Sequence, residues 1–283
     1  MTVRDYFLPG SLPEALKLLE RHGPELLVMA GGTIAMPLIN DGLSLPSAVM
    51  SLRKVGLDRL ECTEGVLRIG ATATLTQLAH QDFVPILRAA ARNTASWPVR
   101  NMGTVGGNLF TPPPGGDVAV ALLALDATLV LANAHGHRTL RLVDFYTGFL
   151  TTALAPDELL VEIRVPCVSE GTAFVKFGRK HANTPAVVTV AARVAWLDAR
   201  VSEARIALGA AGPHPVRVRS AESLLVGTTL DRRAIAAAST AAAEECRPFS
   251  DAIASDWYRR RMVRLFVGRT LERLAARAEG EVG

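Results

Sequence analysis

Cysteine is scarce in this 283-residue chain: Cys62, Cys167 and Cys246 stand far apart, and no Cys-x-x-Cys occurs. That argues against an iron–sulfur cluster or structural zinc site built within the chain, and an odd, sparse count fits a reducing cytoplasm. The opening residues, Met1-Thr2-Val3-Arg4-Asp5, lack the apolar core of a signal peptide, and no apolar run approaches membrane-spanning length. A soluble, cytoplasmic protein is the expectation. Also missing are a Rossmann G-x-G-x-x-G, a Walker loop, a zinc constellation and any nucleophile–base triad. There is no internal repeat or low-complexity linker. The net charge of +4 is modest, and its excess gathers at Arg259, Arg260, Arg261, Arg264 and Arg269. A whole-surface nucleic-acid footprint does not fit that distribution.

What is present is a globular composition, 49% hydrophobic and 20% charged, on a chain long enough for two or three compact units. The most unusual stretch runs Arg100-Asn101-Met102-Gly103-Thr104-Val105-Gly106-Gly107-Asn108-Leu109-Phe110-Thr111, then Pro112-Pro113-Pro114-Gly115-Gly116-Asp117. It has little side chain to bury. Glycine instead supplies positive-φ conformations that let successive backbone N–H groups face one concavity, suited to a diphosphate. Asp117 precedes an apolar run and reads as an N-cap. Upstream, the apolar Leu26-Leu27-Val28-Met29 breaks at Ala30-Gly31-Gly32-Thr33-Ile34, a strand–glycine turn with a hydroxyl at its edge. Either loop alone is an ordinary turn. Two together favour a nucleotide-sized ligand.

Around them the pattern is mixed. Ser11-Leu12-Pro13-Glu14 reads as a capping box opening a helix that Gly23 stops. A strand at 26–29, a helix near 36–39 and a strand at 48–52 make residues 1–55 a small α/β unit. Residues 60–62 and 66–70 read as a hairpin, Thr74 as a helix cap, and 84–94 as a helix that Pro98 cannot continue. Strands at 127–131 and 159–165, the latter closed by Pro166, complete a second unit. Beyond residue 170, three strands at 172–177, 187–197 and 204–208 precede helices near 231–245 and 254–279, the order expected of a separate α+β domain.

The pair Ala30-Gly31-Gly32-Thr33 and Thr104-Val105-Gly106-Gly107-Asn108 resembles the FAD-binding subunit of the molybdenum hydroxylases, a family that includes the medium subunit of carbon monoxide dehydrogenase and the flavin domain of xanthine dehydrogenase. The similarity covers nearly the whole chain. It implies an α+β architecture: a two-subdomain, PCMH-type FAD-binding fold over residues 1–168, divided at about 55, and a C-terminal α+β domain over 169–283 with a three-stranded antiparallel sheet. It implies FAD on this chain, [2Fe-2S] clusters on a small partner subunit and molybdopterin on a large one, in a dimer of heterotrimers. No catalytic residue and no metal ligand is assigned to the chain itself. A stand-alone flavoprotein oxidoreductase and a flavin-less scaffold subunit are the alternative readings.

Carried over residue by residue, the resemblance assigns FAD contacts to Val28, Ala30, Gly31, Gly32, Thr33 and Ile34, and to Gly103, Thr104, Gly107, Asn108 and Thr111. It adds Asp117, weighed against a simple helix cap; Leu160, most simply core; and Lys176, weighed against a solvent-exposed strand-edge lysine. Alternation places Phe174, Lys176 and Gly178 on one strand face. The run Thr111-Pro112-Pro113-Pro114 and the run His181-Ala182-Asn183-Thr184-Pro185 depart from relatives, leaving contacts there and at Arg179 and Lys180 open. Trp97 could stack on a ring, but packing is favoured. His135 and His137 read as a solvent turn, and the last helix as docked on its own domain by Met262, Val263, Leu265 and Phe266.

Overall fold

In the computed structural model, residues 3–111, 116–180 and 183–280 are described. The first unit contains β1 (Asp5–Phe7), α1 (Leu12–His22), β2 (Leu26–Met29), α2 (Ala35–Asn40) and β3 (Ala48–Ser51), its strands forming a parallel sheet in the order β1-β3-β2. Ser11 caps α1 by accepting from Glu14 N, and Gly23 ends the helix. The box is only half made, because the Glu14 carboxylate turns back to Gly10 N at 2.8 Å and not to Ser11. Ala15, Leu16 and Leu19 bury one face of α1 with Met50 from β3.

The second unit runs through β4 (Leu60–Thr63), β5 (Val66–Gly70), α3 (Leu75–His80), α4 (Pro85–Asn93), α5 (Trp97–Met102), α6 (Val105–Leu109), α7 (Asp117–Ala124), β6 (Thr128–Asn133), β7 (Gly136–Arg141), β8 (Tyr146–Gly148), β9 (Thr151–Thr152) and β10 (Leu159–Pro166). Its five-stranded antiparallel sheet has the order β4-β5-β10-β6-β7. Both faces of that sheet are covered. Leu129, Leu131, Leu160 and Ile163 face the helices, while Val130, Ala132, Leu159 and Val161 join the core of the first unit. Helix α7 has every residue buried, which explains its lack of an exposed polar stripe.

The third unit holds β11 (Thr172–Gly178), β12 (Ala186–Leu197), β13 (Arg200–Gly209), β14 (Val216–Arg217), α8 (Arg219–Leu225), α9 (Arg232–Glu245) and α10 (Asp256–Gly280). Its sheet has four antiparallel strands, not the three expected. The fourth pairs Val216 with Leu208 and Arg217 with Ala207; two residues are too few for alternation to betray a strand. One face of this sheet takes α8–α10, and the other lies on α7, where a Cβ on Gly209 would stand 2.6 Å from Val120 Cγ2.

Two features are not apparent from the sequence. Arg259, one of the clustered arginines of α10, is 0% exposed, and its guanidinium donates to Ala186 O, Val187 O, Ala210 O and Asp251. Met262, Val263 and Phe266 do dock α10 on its own unit, whereas Leu265 is exposed. Nor are all three cysteines free. Cys62 and Cys167, 105 residues apart, form a disulfide, leaving Cys246 as a buried thiol. Strand β5 lies between β4 and β10, with Leu67 pairing both Cys62 and Val165, and that topology brings the two sulfurs together.

Candidate functional site

The two glycine loops meet. Strand β2 ends at Met29, and the chain turns through Ala30-Gly31-Gly32-Thr33-Ile34 into α2. The other loop sits at the junction of α5 and α6. A Cβ added to Gly31 would lie 1.9 Å from Met102 O and 3.1 Å from Gly103 Cα, so only glycine admits this approach. From the opposite side, a Cβ on Gly103 would stand 3.5 Å from Thr33 Oγ1. Gly32 has φ +71°, a left-handed conformation that favours glycine and lets neighbouring N–H groups converge.

The donors are distributed differently from the sequence expectation. None of the N–H groups of Gly31, Gly32, Thr33 and Ile34 donates to another described residue. In the second loop almost all are engaged: Gly103 N donates to Val99 O, Val105 N to Ala73 O, Gly106 N to Ala71 O, Gly107 N to Thr104 Oγ1 and Asn108 N to Thr104 O. That stretch is largely helical rather than open loop, with Thr104 capping α6. Its contribution is close approach and hydroxyls, while bare backbone donors come from the first loop. Val28 lies in β2, and Ala30 leads from it into the turn.

Asn108 is buried and its Oδ1 accepts from Ala119 N at 3.1 Å, fixing α6 to the first turn of α7. Thr111 Oγ1 reaches Gly107 O at 3.4 Å. The departures expected at 112–114 and at His181-Ala182 lie outside the described residues. Gly116, in a left-handed conformation, is the N-cap of α7; Asp117 is one residue inside it, not the cap. Its side chain is 6% exposed. Oδ2 accepts from Lys176 Nζ and Oδ1 from Thr189 Oγ1, each at 2.7 Å. Lys176 also donates to Asn93 O at 3.1 Å and is 10% exposed, so it is no solvent lysine. Sequence reasoning paired neither residue with the other. Opposite charges 59 positions apart, one of them N-terminal in a helix, carry no local signal; nor did it find Thr189, one hydroxyl among many.

Leu160 is buried core at the bulge in β10. Trp97, expected to pack, is 64% exposed at the start of α5. His135 is exposed as expected, beside Glu20. Among the described residues there is no metal-binding cluster and no helix long and apolar enough to cross a membrane.

The family model "FAD binding domain in molybdopterin dehydrogenase" matches residues 2–168, and "CO dehydrogenase flavoprotein C-terminal domain" matches 172–274. The chain belongs to this family. It is an FAD-binding medium subunit of the molybdenum hydroxylase type and an oxidoreductase subunit. It is 33% identical to the carbon monoxide dehydrogenase medium chain of Afipia carboxidovorans, covering 97% of this chain and 98% of that one. It is 32% identical to the 6-hydroxypseudooxynicotine dehydrogenase complex subunit alpha of Paenarthrobacter nicotinovorans, over 97% and 95%. The solved carbon monoxide dehydrogenase of Hydrogenophaga pseudoflava superposes with a TM-score of 0.93 at 30% identity, over 98% of both chains. This subunit thus shares its architecture with that chain along nearly its full length.

Proposed function

We propose that this subunit holds FAD across the crossing of its two glycine loops and relays electrons within a molybdenum hydroxylase complex. Supporting this is the contact of Gly31 with Met102 O beside four consecutive N–H groups that have no partner among the described residues. Such a cradle fits a diphosphate, which brings acceptor oxygens and negative charge to unpaired donors. Gly31, Gly32, Thr33 and Ile34 would donate to it, with Val28 and Ala30 shaping the approach. Gly103, Thr104, Gly107, Asn108 and Thr111 would wall the other side. Leu160, Asp117 and Lys176 belong to the flavin end of the same reading. Asp117 already neutralises Lys176, so the pair would act there as a fixed dipole and not as a free cation.

FAD, when bound, supplies exchange between one- and two-electron carriers; the chain supplies orientation and electrostatics. The name of the Paenarthrobacter relative is that of a subunit of a dehydrogenase complex. By that likeness the electrons would come from [2Fe-2S] clusters of a small partner subunit. A large molybdopterin subunit would oxidise the substrate, and an external acceptor would take the electrons, in a dimer of heterotrimers. Residues 1–168, split at about 55, would form the FAD-binding domain and 169–283 the C-terminal domain. We place the complex in the cytoplasm; the Cys62–Cys167 bond is the observation that stands against it.

The test is purification of the full chain from its native cell. Retained FAD, with iron and molybdenum on co-purifying subunits, is the expected result. A colourless chain that gains no flavin absorbance with added FAD would return the reading to a scaffold subunit.

A further inference from the structure

We infer that Trp97 stacks on the isoalloxazine ring, making it a cofactor-binding residue of this subunit; this rests on the reading of the loop crossing as an FAD site. Trp97 is 64% exposed on the short helix that reaches the crossing, and presents an open aromatic face there. Trp257, equally exposed, has the Arg261 guanidinium 5.6 Å from its ring centre, whereas Trp97 has no aromatic or cationic partner among the described residues. Its position is also built. Trp97 opens α5, and Met102 at the other end of that helix touches Gly31. At 1.5 Å per residue the indole base lies about 7.5 Å along the axis from the crossing, within the span of a ribityl chain.

The turn that carries it is held from both sides. Arg100 Nη1 donates to Thr94 O at 3.1 Å and Ala95 O at 2.8 Å, bracketing the segment just before the indole. Ala95 takes φ +51°, a strained conformation for a residue with a Cβ. Strain that the surroundings enforce clusters at ligand clamps. On the other side Asn93 O accepts from Lys176, which the Asp117 carboxylate fixes in turn. Trp97 therefore stands four residues beyond the Asn93 carbonyl that the buried ion pair holds, on the short helix whose far end forms the crossing.

The experiment uses the full chain stripped of flavin and titrated with FAD, comparing wild type with Trp97→Phe and Trp97→Ala, whose folding is checked by thermal melts. Contact with indole darkens flavin emission, so the bound flavin should be dark in wild type and brighten in both variants. Loss of one stacking partner should weaken FAD binding about tenfold in Trp97→Ala, and less in Trp97→Phe, which keeps an aromatic face. Bound flavin equally dark in all three proteins, with unchanged affinity, would overturn the inference while leaving the FAD site standing. Wild-type protein that takes up no flavin would overturn both.

Discussion

Gly31→Ala probes the loop crossing with a single methyl group. The new Cβ would lie 1.9 Å from Met102 O and 2.7 Å from Met102 C, where ordinary contact begins at 3.4 Å. The loops must therefore part by 3.4 − 1.9 = 1.5 Å. Neither atom belongs to a side chain that could change rotamer, so backbone must move. Overpacking typically costs ~1–3 kcal/mol, and a backbone obstacle belongs at the upper end of that range. An opening of that size also exceeds the tolerance of hydrogen bonds made from both loops to one ligand, whose useful N···O range spans only ~0.5 Å. We expect FAD affinity to fall by more than about tenfold, equivalent to ~1.4 kcal/mol, alongside a lowered melting temperature. Gly10→Ala is the control: its nearest foreign atom lies at 3.8 Å, so the same methyl should change neither quantity. Flavin fluorescence titration and thermal melts read both. Wild-type affinity and melting in Gly31→Ala would refute the closeness of the two loops.

Removing Lys176 with Met strands the Asp117 carboxylate on Thr189 alone and should cost ~3–5 kcal/mol in urea unfolding; the double variant with Asp117→Asn should recover part of it. Arg259→Ala leaves Ala186 O, Val187 O and Ala210 O without their donor, and should destabilise the third unit by a similar ~3–5 kcal/mol, seen as a fall in urea midpoint. The chain isolated without reductant should react as one free thiol after denaturation, and Cys62→Ser should lower stability by ~2–5 kcal/mol, as expected for a bond closing a long loop; three reactive thiols would contradict the bond. Hydrogen bonding from Arg138 holds the Glu158 carboxyl below its ordinary 4.5. A depressed folded-state value contributes stability that is present above pH 4.5 and lost as pH falls through the folded value, so Arg138→Gln should flatten the acid limb of a pH–melting curve.

Much of the architecture follows from local sequence. Thr74 and Gln77 form a reciprocal capping box, Gly23 stops α1, and Glu64-Gly65 turns the β4–β5 hairpin. Each signal spans a few residues and acts through backbone geometry, and therefore survives in the chain alone. The same holds for the two glycine loops: their bareness is a property of composition, and it sufficed to suggest a phosphorylated ligand. Local signals misled where a residue type fits two roles. Asp117 has the chemistry of a cap, yet Gly116 already fills that place. Arg259 sits in a run of arginines but faces inward, because carbonyls at Ala186, Val187 and Ala210 converge on it from two other strands' ends.

The sequence by itself determined many of the strands, helix caps and turns, since periodicity, caps and glycine act over neighbours; it missed the two-residue β14 and the helix that Thr104 caps. Tertiary structure alone decided what meets what. It seated Gly31 on Met102, joined Lys176 to Asp117 and Cys62 to Cys167, and left Trp97 uncovered. The physical reason is distance along the chain: each of these depends on the order of strands in a sheet or the stacking of one unit on another, and no short-range propensity encodes it.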